Sequence, residues 1–466
     1  MSTMRSNILW CKSALLDYGW AEAVEIEVDA RGDISKVTAN QSYRSGDKLM
    51  ASVVPGIPNL HSHAQQRAMA GLAERAGLTS AERADSFWSW REVMYRYLER
   101  MDPEALYHIA RQLYVEMLKA GYTSVAEFQY VHHDSAGQPY ANPAEMSLQC
   151  THAATETGLG MTILPVLYRY SGFGGIEPQE SQRRFLNDAS AYDQIFSRLD
   201  TATALDPNAH CGMALHSLRA VDQPLIREIL SLRPPQSGVP IHIHIAEQKE
   251  EVEQCLAWSG QRPIEWLFNH CDVGPDWCLV HATHALDTEI MAMASSQCVV
   301  GLCPSTEANL GDGIFSLSDL AAQSGRWGIG SDSHISISPV EELRWLEYGQ
   351  RLTSGTRNVA ASHERPSTGR QLLESALAGG AQACGRKLGA IAPGFRADLV
   401  ALDDKHPRLY GRSGDSLLDS WIFSGNQRLI TDVYVGGIKR IDSGKHEQED
   451  SIALHYRKTI DRLAAN

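Results

Sequence analysis

The stretch PGIPNLHSHAQQRAMAGLAE, residues 55–74, sets His61 and His63 one residue apart where an apolar run ends. On a strand, residues i and i+2 project to one side, so the two imidazoles present themselves to a single point, as ligands of a metal ion must. A bare pair of histidines serves hydrogen bonding equally well, and the metal reading therefore needs more ligands downstream. They stand at the ends of later apolar runs: His244 in VPIHIHIAEQ (239–248), His281 in WCLVHATH (277–284) and Asp332 in RWGIGSDSH (326–334). Three imidazoles (His61, His63, His244) and the Asp332 carboxylate form a donor set for Zn²⁺ or Fe²⁺ with a position left for water, and His281 stands beside it as a base.

Residues so far apart in sequence meet only if a fold brings strand ends together. From residue 51 onward, short β-branched or apolar runs alternate with helical patterns: 52–63, 121–130, 160–170, 211–220, 239–248, 277–284, 296–305 and 326–334. Between them lie stretches such as DPEALYHIARQLYVEMLKAG, with Leu106, Ile109, Ala110, Leu113, Met117 and Leu118 near helical spacing and Gly121 as the stop. Eight such units predict an α/β fold, a (β/α)8 TIM-like barrel, whose active sites gather at the C-terminal strand ends. The flanks differ: AVEIEVDARGDISKVTA reads as a hairpin around Arg31 and Gly32, and GAIAPGFRADLVALD with ITDVYVGGIKRI as further short strands. The expected organisation is residues 1–50 and 386–445 forming a small β-sandwich domain from both chain ends, 51–385 the barrel, and 446–466 a terminal helix.

Among 466 residues the net charge is −14, spread along the chain, which excludes the concentrated basic face that nucleic acid or an anionic membrane demands. A small-molecule ligand is expected instead. Nine cysteines without a CxxC pair read as reduced thiols, and neither a signal peptide nor a membrane span is legible, so a cytoplasmic protein is expected, as a homodimer. His132 and His133 read as solvent-facing loop histidines, His242 as buried against the helices, and Trp88 and Trp90 as core or lid packing.

The order HxH, His, His, Asp, followed by GAIAPGFRADLVALD, resembles the amidohydrolase superfamily over nearly the whole chain. Two-metal members use a bridging carboxylated lysine or a glutamate from a middle strand; the run CGMALHSLRA offers neither and no lysine occurs between Lys119 and Lys249, so one divalent metal per chain is expected. HIHIAEQ places Glu247 three residues after His244, similar to the deaminase and chlorohydrolase branch, where such a glutamate carries protons to the leaving nitrogen. The competing role is a cap on the helix that follows.

LHSHAQQRAMAGL, ALHSLRA, HIHIAEQ and CPSTEANLGDGIF together resemble the members of that branch that hydrolyse N-formimino-L-glutamate to N-formyl-L-glutamate and ammonia. The resemblance implies His281 and Asp332 as proton acceptors beside Glu247, and Gln66 as the group that orients the formimino end. A substrate with two carboxylates requires cationic and donor partners, expected of Arg219 and Arg91, with Arg83 or Arg96 as substitutes for the latter, aided by Tyr130 and His216. Three other readings compete: a cyclic-amide hydrolase, which would want two metals; a deaminase or chlorohydrolase of nucleobase or triazine rings, which would want stacking side chains where this chain offers arginines; and an inactive barrel, which would have lost ligands.

Overall fold

The computed structural model describes residues 7–74, 87–232 and 238–465, with the side chains of 87–89 left aside. Eight parallel strands run in order around a barrel: β1 (Ile57–Ser62), β2 (Tyr122–Gln129), β3 (Gly160–Leu167), β4 (Met213–Ser217), β5 (Ile241–Ile245), β6 (Trp277–His281), β7 (Val299–Leu302) and β8 (Arg326–Ile329). Nearly every residue of these strands is buried, because the barrel interior takes one face and the helices the other. Closure falls between β8 and β1, where Asp332 N–H donates to the His61 carbonyl (3.0 Å) and His63 N–H to that of Asp332 (3.2 Å). Those two bonds alone bring one carboxylate beside two histidines.

The helix Pro103–Ala120 follows the sequence signals: Asp102 accepts from Ala105 N–H at 2.8 Å, Pro103 opens the first turn, and Gly121 closes the helix with φ +101°. The terminal helix Glu449–Ala464 lies against it, tied by Lys119 to Glu449 (2.6 Å) and Arg462 to Asp102 (2.8 Å).

The two chain ends meet in one sheet of eight strands rather than two separate sheets. Its order is Lys445–His446, Ile438–Asp442, Ile430–Val435, Leu399–Leu402, Asp47–Pro55, Asn7–Leu16, Gly19–Val28, Ile34–Thr38. The sheet closes on a core of its own, including Leu9, Val24, Ile26, Val53, Leu399 and Tyr434. The run 52–63, expected as a single barrel strand from residue 51, is two strands. Residues up to Pro55 pair with Leu399–Leu402 in the small sheet, and the chain passes at Gly56 into β1. A Cβ at Gly56 would lie 2.3 Å from the Thr123 hydroxyl, so the crossing admits no side chain. Apolar runs stand on both sides, and the Pro55-Gly56 pair is the local mark of the crossing in sequence.

The expected reduced thiols are seen: all nine cysteines are free. Among the described residues no helix is long and apolar enough to cross a membrane.

The helix Thr368–Ala383 runs directly behind β8 and β1. A Cβ on Gly379 would come within 1.8 Å of the Trp327 carbonyl on β8, whereas one on Gly274 would meet nothing within 4 Å. Gly379→Ala should therefore lower the free energy of unfolding by about 2–3 kcal/mol in urea titration, with Gly274→Ala near the parent value. Equal stability of the two variants would contradict this packing.

Candidate metal centre and substrate pocket

His61, His63, His244 and Asp332 converge at the C-terminal mouth of the barrel, all four buried, with their donor atoms within 4.8 Å of one another. His61 Nε2 lies 3.1 Å from His63 Nε2 and 3.0 Å from His244 Nε2, and Asp332 Oδ1 lies 3.5 and 3.3 Å from His61 and His63 Nε2. The outer nitrogens fix the tautomers. His63 Nδ1–H donates to the Phe128 carbonyl (3.0 Å) and His244 Nδ1–H to the His216 carbonyl (2.9 Å), which leaves both Nε2 lone pairs facing inward in the neutral rings. Burial first, and the neighbouring imidazoles second, hold His61 and His244 well below the usual histidine range; burial holds His63 to about 3 despite its bond to Phe128. His61 Nδ1 has no partner, so a neutral His61 could offer one Nε2 proton to only one of its two neighbours at a time, whereas a cation at the centre engages all the inward lone pairs at once. The donor set is that of a divalent metal centre.

His281 stands on the next face. Its Nε2 is 3.7 Å from Glu247 Oε1 and 3.7 Å from Asp332 Oδ2, and its Nδ1–H donates to Glu307 Oε1 at 3.3 Å. Burial pulls this imidazole down, but Glu247, the bond to Glu307 and Asp332 outweigh it and raise His281 to about 10. Burial likewise raises Glu247 and lifts Asp332 to about 6, with the His281 imidazole opposing both. Backbone strain concentrates here: Ala246, His281, Ala282, Asp332 and His334 all have φ between +44° and +71°, a region costing non-glycine residues of order 1–3 kcal/mol each. A second trio, His281, Cys303 and Asp332, also has its donor atoms close together. It suits a metal poorly, because burial pushes the Cys303 thiol far above its ordinary range, away from the thiolate.

Beneath the ligands runs a directional chain of hydrogen bonds that sequence reading missed. Asn59 donates to Ser331 Oγ (2.6 Å), Ser331 to His334 Nδ1 (3.1 Å), His334 Nε2–H to Ser62 Oγ (3.1 Å), and Ser62 to Glu127 Oε2 (2.7 Å). Glu127 also accepts from Ala64 N–H (2.6 Å) and the Tyr114 hydroxyl (3.1 Å). The chain clamps the residues on either side of His61, His63 and Asp332. It also answers the question of a bridging carboxylate on a middle strand: on β2 it is Phe128 whose ring meets His61 (5.1 Å), while Glu127 binds these polar partners on the other side.

Over the metal centre opens a cavity, and all five residues expected to hold a substrate line it: Gln66, Arg91, Tyr130, His216 and Arg219, together with Glu247. Gln66 Nε2–H donates to the Tyr130 hydroxyl at 3.1 Å, and its buried Oε1 has no partner. Tyr130 donates in turn to Met94 Sδ (3.0 Å), the Arg91 guanidinium sits 5.6 Å over the Tyr95 ring, and His216 packs on Tyr168 (4.6 Å). Tyr95, Tyr168, Thr306 and Ser333 are lining residues that the sequence did not single out. Trp90 is half-buried and lines the cavity; the Trp88 side chain and Arg83 lie outside the described residues.

Two expectations at the edge of the site change and one holds. His132 and His133 are buried, not in solvent: their Nε2–H groups donate to the Val166 (2.8 Å) and Leu186 (2.6 Å) carbonyls, since the loop 168–187 folds over them. His242 is buried against the helix side as expected, donating to the Ala383 carbonyl (2.8 Å). Glu247 does not cap the following helix, whose N-cap is Gln248; instead Glu251, from inside that helix, accepts from Glu247 N–H at 3.1 Å.

A family model described as Amidohydrolase family matches residues 52–439. The formimidoylglutamate deiminase of Pseudomonas aeruginosa is 50% identical over 458 residues, 98% of this chain and 99% of that one. A 5-methylthioadenosine/S-adenosylhomocysteine deaminase of Natronomonas pharaonis is 26% identical over 82% of this chain and 81% of its own length. The crystal structure of an amidohydrolase from Brucella melitensis superposes with a TM-score of 0.93 at 45% identity, covering 98% of this chain and 100% of that one.

The two donor groups make different demands on variants. His63→Ala should weaken metal binding by about a hundredfold or more, whereas Cys303→Ser should leave the metal content of the purified protein unchanged, both read by elemental analysis. Loss of metal from the Cys303 variant would assign the ion to the second trio.

Proposed function

The chain belongs to the amidohydrolase family, and from that membership and the geometry of the barrel mouth we propose that it is a hydrolytic deiminase acting on N-formimino-L-glutamate. Water adds to the formimino carbon, the C–N bond to the terminal nitrogen breaks, and the products are N-formyl-L-glutamate and ammonia. The observation that carries the reading is the meeting of Arg91 and Arg219 with the metal centre and Glu247 in one cavity: cations for carboxylates stand where the hydrolytic groups are. The activity of the relative that is 50% identical over nearly its whole length supports the same substrate.

His61, His63, His244 and Asp332 would hold the ion, for which we propose zinc on the strength of a three-nitrogen, one-oxygen donor set. When bound it would supply Lewis acidity and a water of lowered pKa. With Glu247 protonated and Asp332 engaged by an ion, the two facing charges that raise His281 would fall away, and its Nε2, 3.7 Å from both, is placed to take the proton of the attacking water. Glu247, buried and inclined to keep a proton, hands one to the departing nitrogen. Arg219 and Arg91 pair with the two carboxylates, Tyr130 and His216 add hydrogen bonds, and the unpartnered Gln66 Oε1 accepts from a formimino N–H. Among the described residues the cavity also carries aromatic rings, but its arginines favour an anionic substrate over a neutral ring.

Incubation with N-formimino-L-glutamate should release ammonia, with a nucleobase panel giving none. Glu247→Gln should retain the metal and lose most of kcat; turnover close to the parent would remove its proton-carrying role. Arg219→Met should lower kcat/KM by about a hundredfold or more, a charge-assisted pair being worth roughly 3 kcal/mol. An unchanged kcat/KM in a folded Arg219 variant would leave the hydrolytic chemistry and remove the acidic amino-acid substrate.

A further inference from the structure

Glu307 is a buried carboxylate on the short helix Pro304–Leu310 that follows β7, and the hydrolytic chemistry above gives it no task. Its Oε1 accepts from Cys303 N–H (2.9 Å) at the start of that helix, and from His281 Nδ1–H at 3.3 Å. The backbone bond fixes the carboxylate independently of the histidine, so Oε1 is an acceptor already in place when the ring settles against it. His281 needs such an anchor. Its backbone is left-handed (φ +71°), the next residue is left-handed too, and its other nitrogen faces two further carboxylates, Glu247 Oε1 and Asp332 Oδ2, both at 3.7 Å.

A side chain on a left-handed strand end has no regular backbone neighbours to fix its ring, and without a partner at Nδ1 the imidazole is free to turn about its side-chain bonds. With Nδ1–H held by Glu307 Oε1, which Cys303 N–H already holds in place, the ring plane is set and Nε2 points toward Glu247 and Asp332.

We propose that Glu307 is a positioning residue for the reaction: fixed by Cys303 N–H, its Oε1 holds His281 Nδ1–H and so aims His281 Nε2 at the side where the reacting water must stand. The inference rests on the hydrolytic role given above to His281. It does not touch the metal ligands or the arginines, so the predicted damage lies in turnover and not in substrate or metal binding.

The test is a series of Glu307→Ala and Glu307→Gln in the metal-loaded protein, with ammonia release from N-formimino-L-glutamate, metal content and the downfield proton spectrum measured on each. Parent turnover establishes or refutes the substrate reading by itself; the ratio between variants tests Glu307. Glu307→Ala should lower kcat about a hundredfold with KM within threefold of the parent and metal unchanged, and Glu307→Gln, which still offers an acceptor oxygen, should recover about tenfold of that loss. A downfield ring N–H resonance, assigned to His281 by its absence in His281→Asn, should be present in the parent and lost in Glu307→Ala. The proposal is overturned by an alanine variant with kcat within twofold of the parent, by a loss carried in KM, by metal loss that accounts for the activity loss, or by persistence of the resonance. If the alanine variant does not fold, the glutamine variant decides: a kcat reduced about tenfold supports the proposal and an unchanged kcat overturns it.

Discussion

One buried imidazole nitrogen, His61 Nε2, with two others about 3 Å from it and a carboxylate facing them, is a constraint on which the barrel mouth depends. Protonating the rings would bury several like charges, and leaving them neutral gives His61 a single proton for two neighbouring lone pairs; a divalent ion resolves both. Much of the barrel mouth follows from that requirement. The closure of β8 on β1 places Asp332 beside His61 and His63, two backbone carbonyls orient the rings of His63 and His244, and the chain from Asn59 to Glu127 fixes the loops on which the ligands stand.

The same arrangement separates binding from chemistry. The ion's ligands lie on one side of His281 and Glu307 on the other, while Glu247 and the arginines line the cavity above. Burial moves the two kinds of titratable group in opposite directions, keeping the ligand imidazoles neutral and the Glu247 carboxyl inclined to hold a proton. The left-handed backbone at Ala246, His281 and Asp332 turns side chains at the strand ends toward one point, at a cost in strain that the surrounding hydrogen bonds hold in place.

The convergence of His61, His63, His244 and Asp332 was legible because each ends an apolar run or follows it closely, and in a parallel barrel all such ends face one way. Arg219 was legible for the same reason, two residues past β4. What could not be read were contacts between residues with no shared periodicity. Glu307 meets His281 from the neighbouring strand's end, and Asn59, Ser331, His334, Ser62 and Glu127 form a chain in which all links but Ser331 to His334 span 272 or 65 residues. His132 and His133 looked like loop residues in solvent because nothing local shows that residues 168–187 will cover them. The boundary at Gly56 was read through for a different reason: Val53, Val54, Ile57 and Leu60 make the apolar run look continuous across Pro55-Gly56, and the close approach of Thr123 is not local.

The central claim is that one ion at the His61, His63, His244 and Asp332 cluster carries the hydrolysis. It is tested most directly by titrating metal-depleted protein with Zn²⁺ and following ammonia release from N-formimino-L-glutamate. Activity should rise linearly from near zero and break at one equivalent per chain. A break at two equivalents, or full activity before any metal is added, would contradict it.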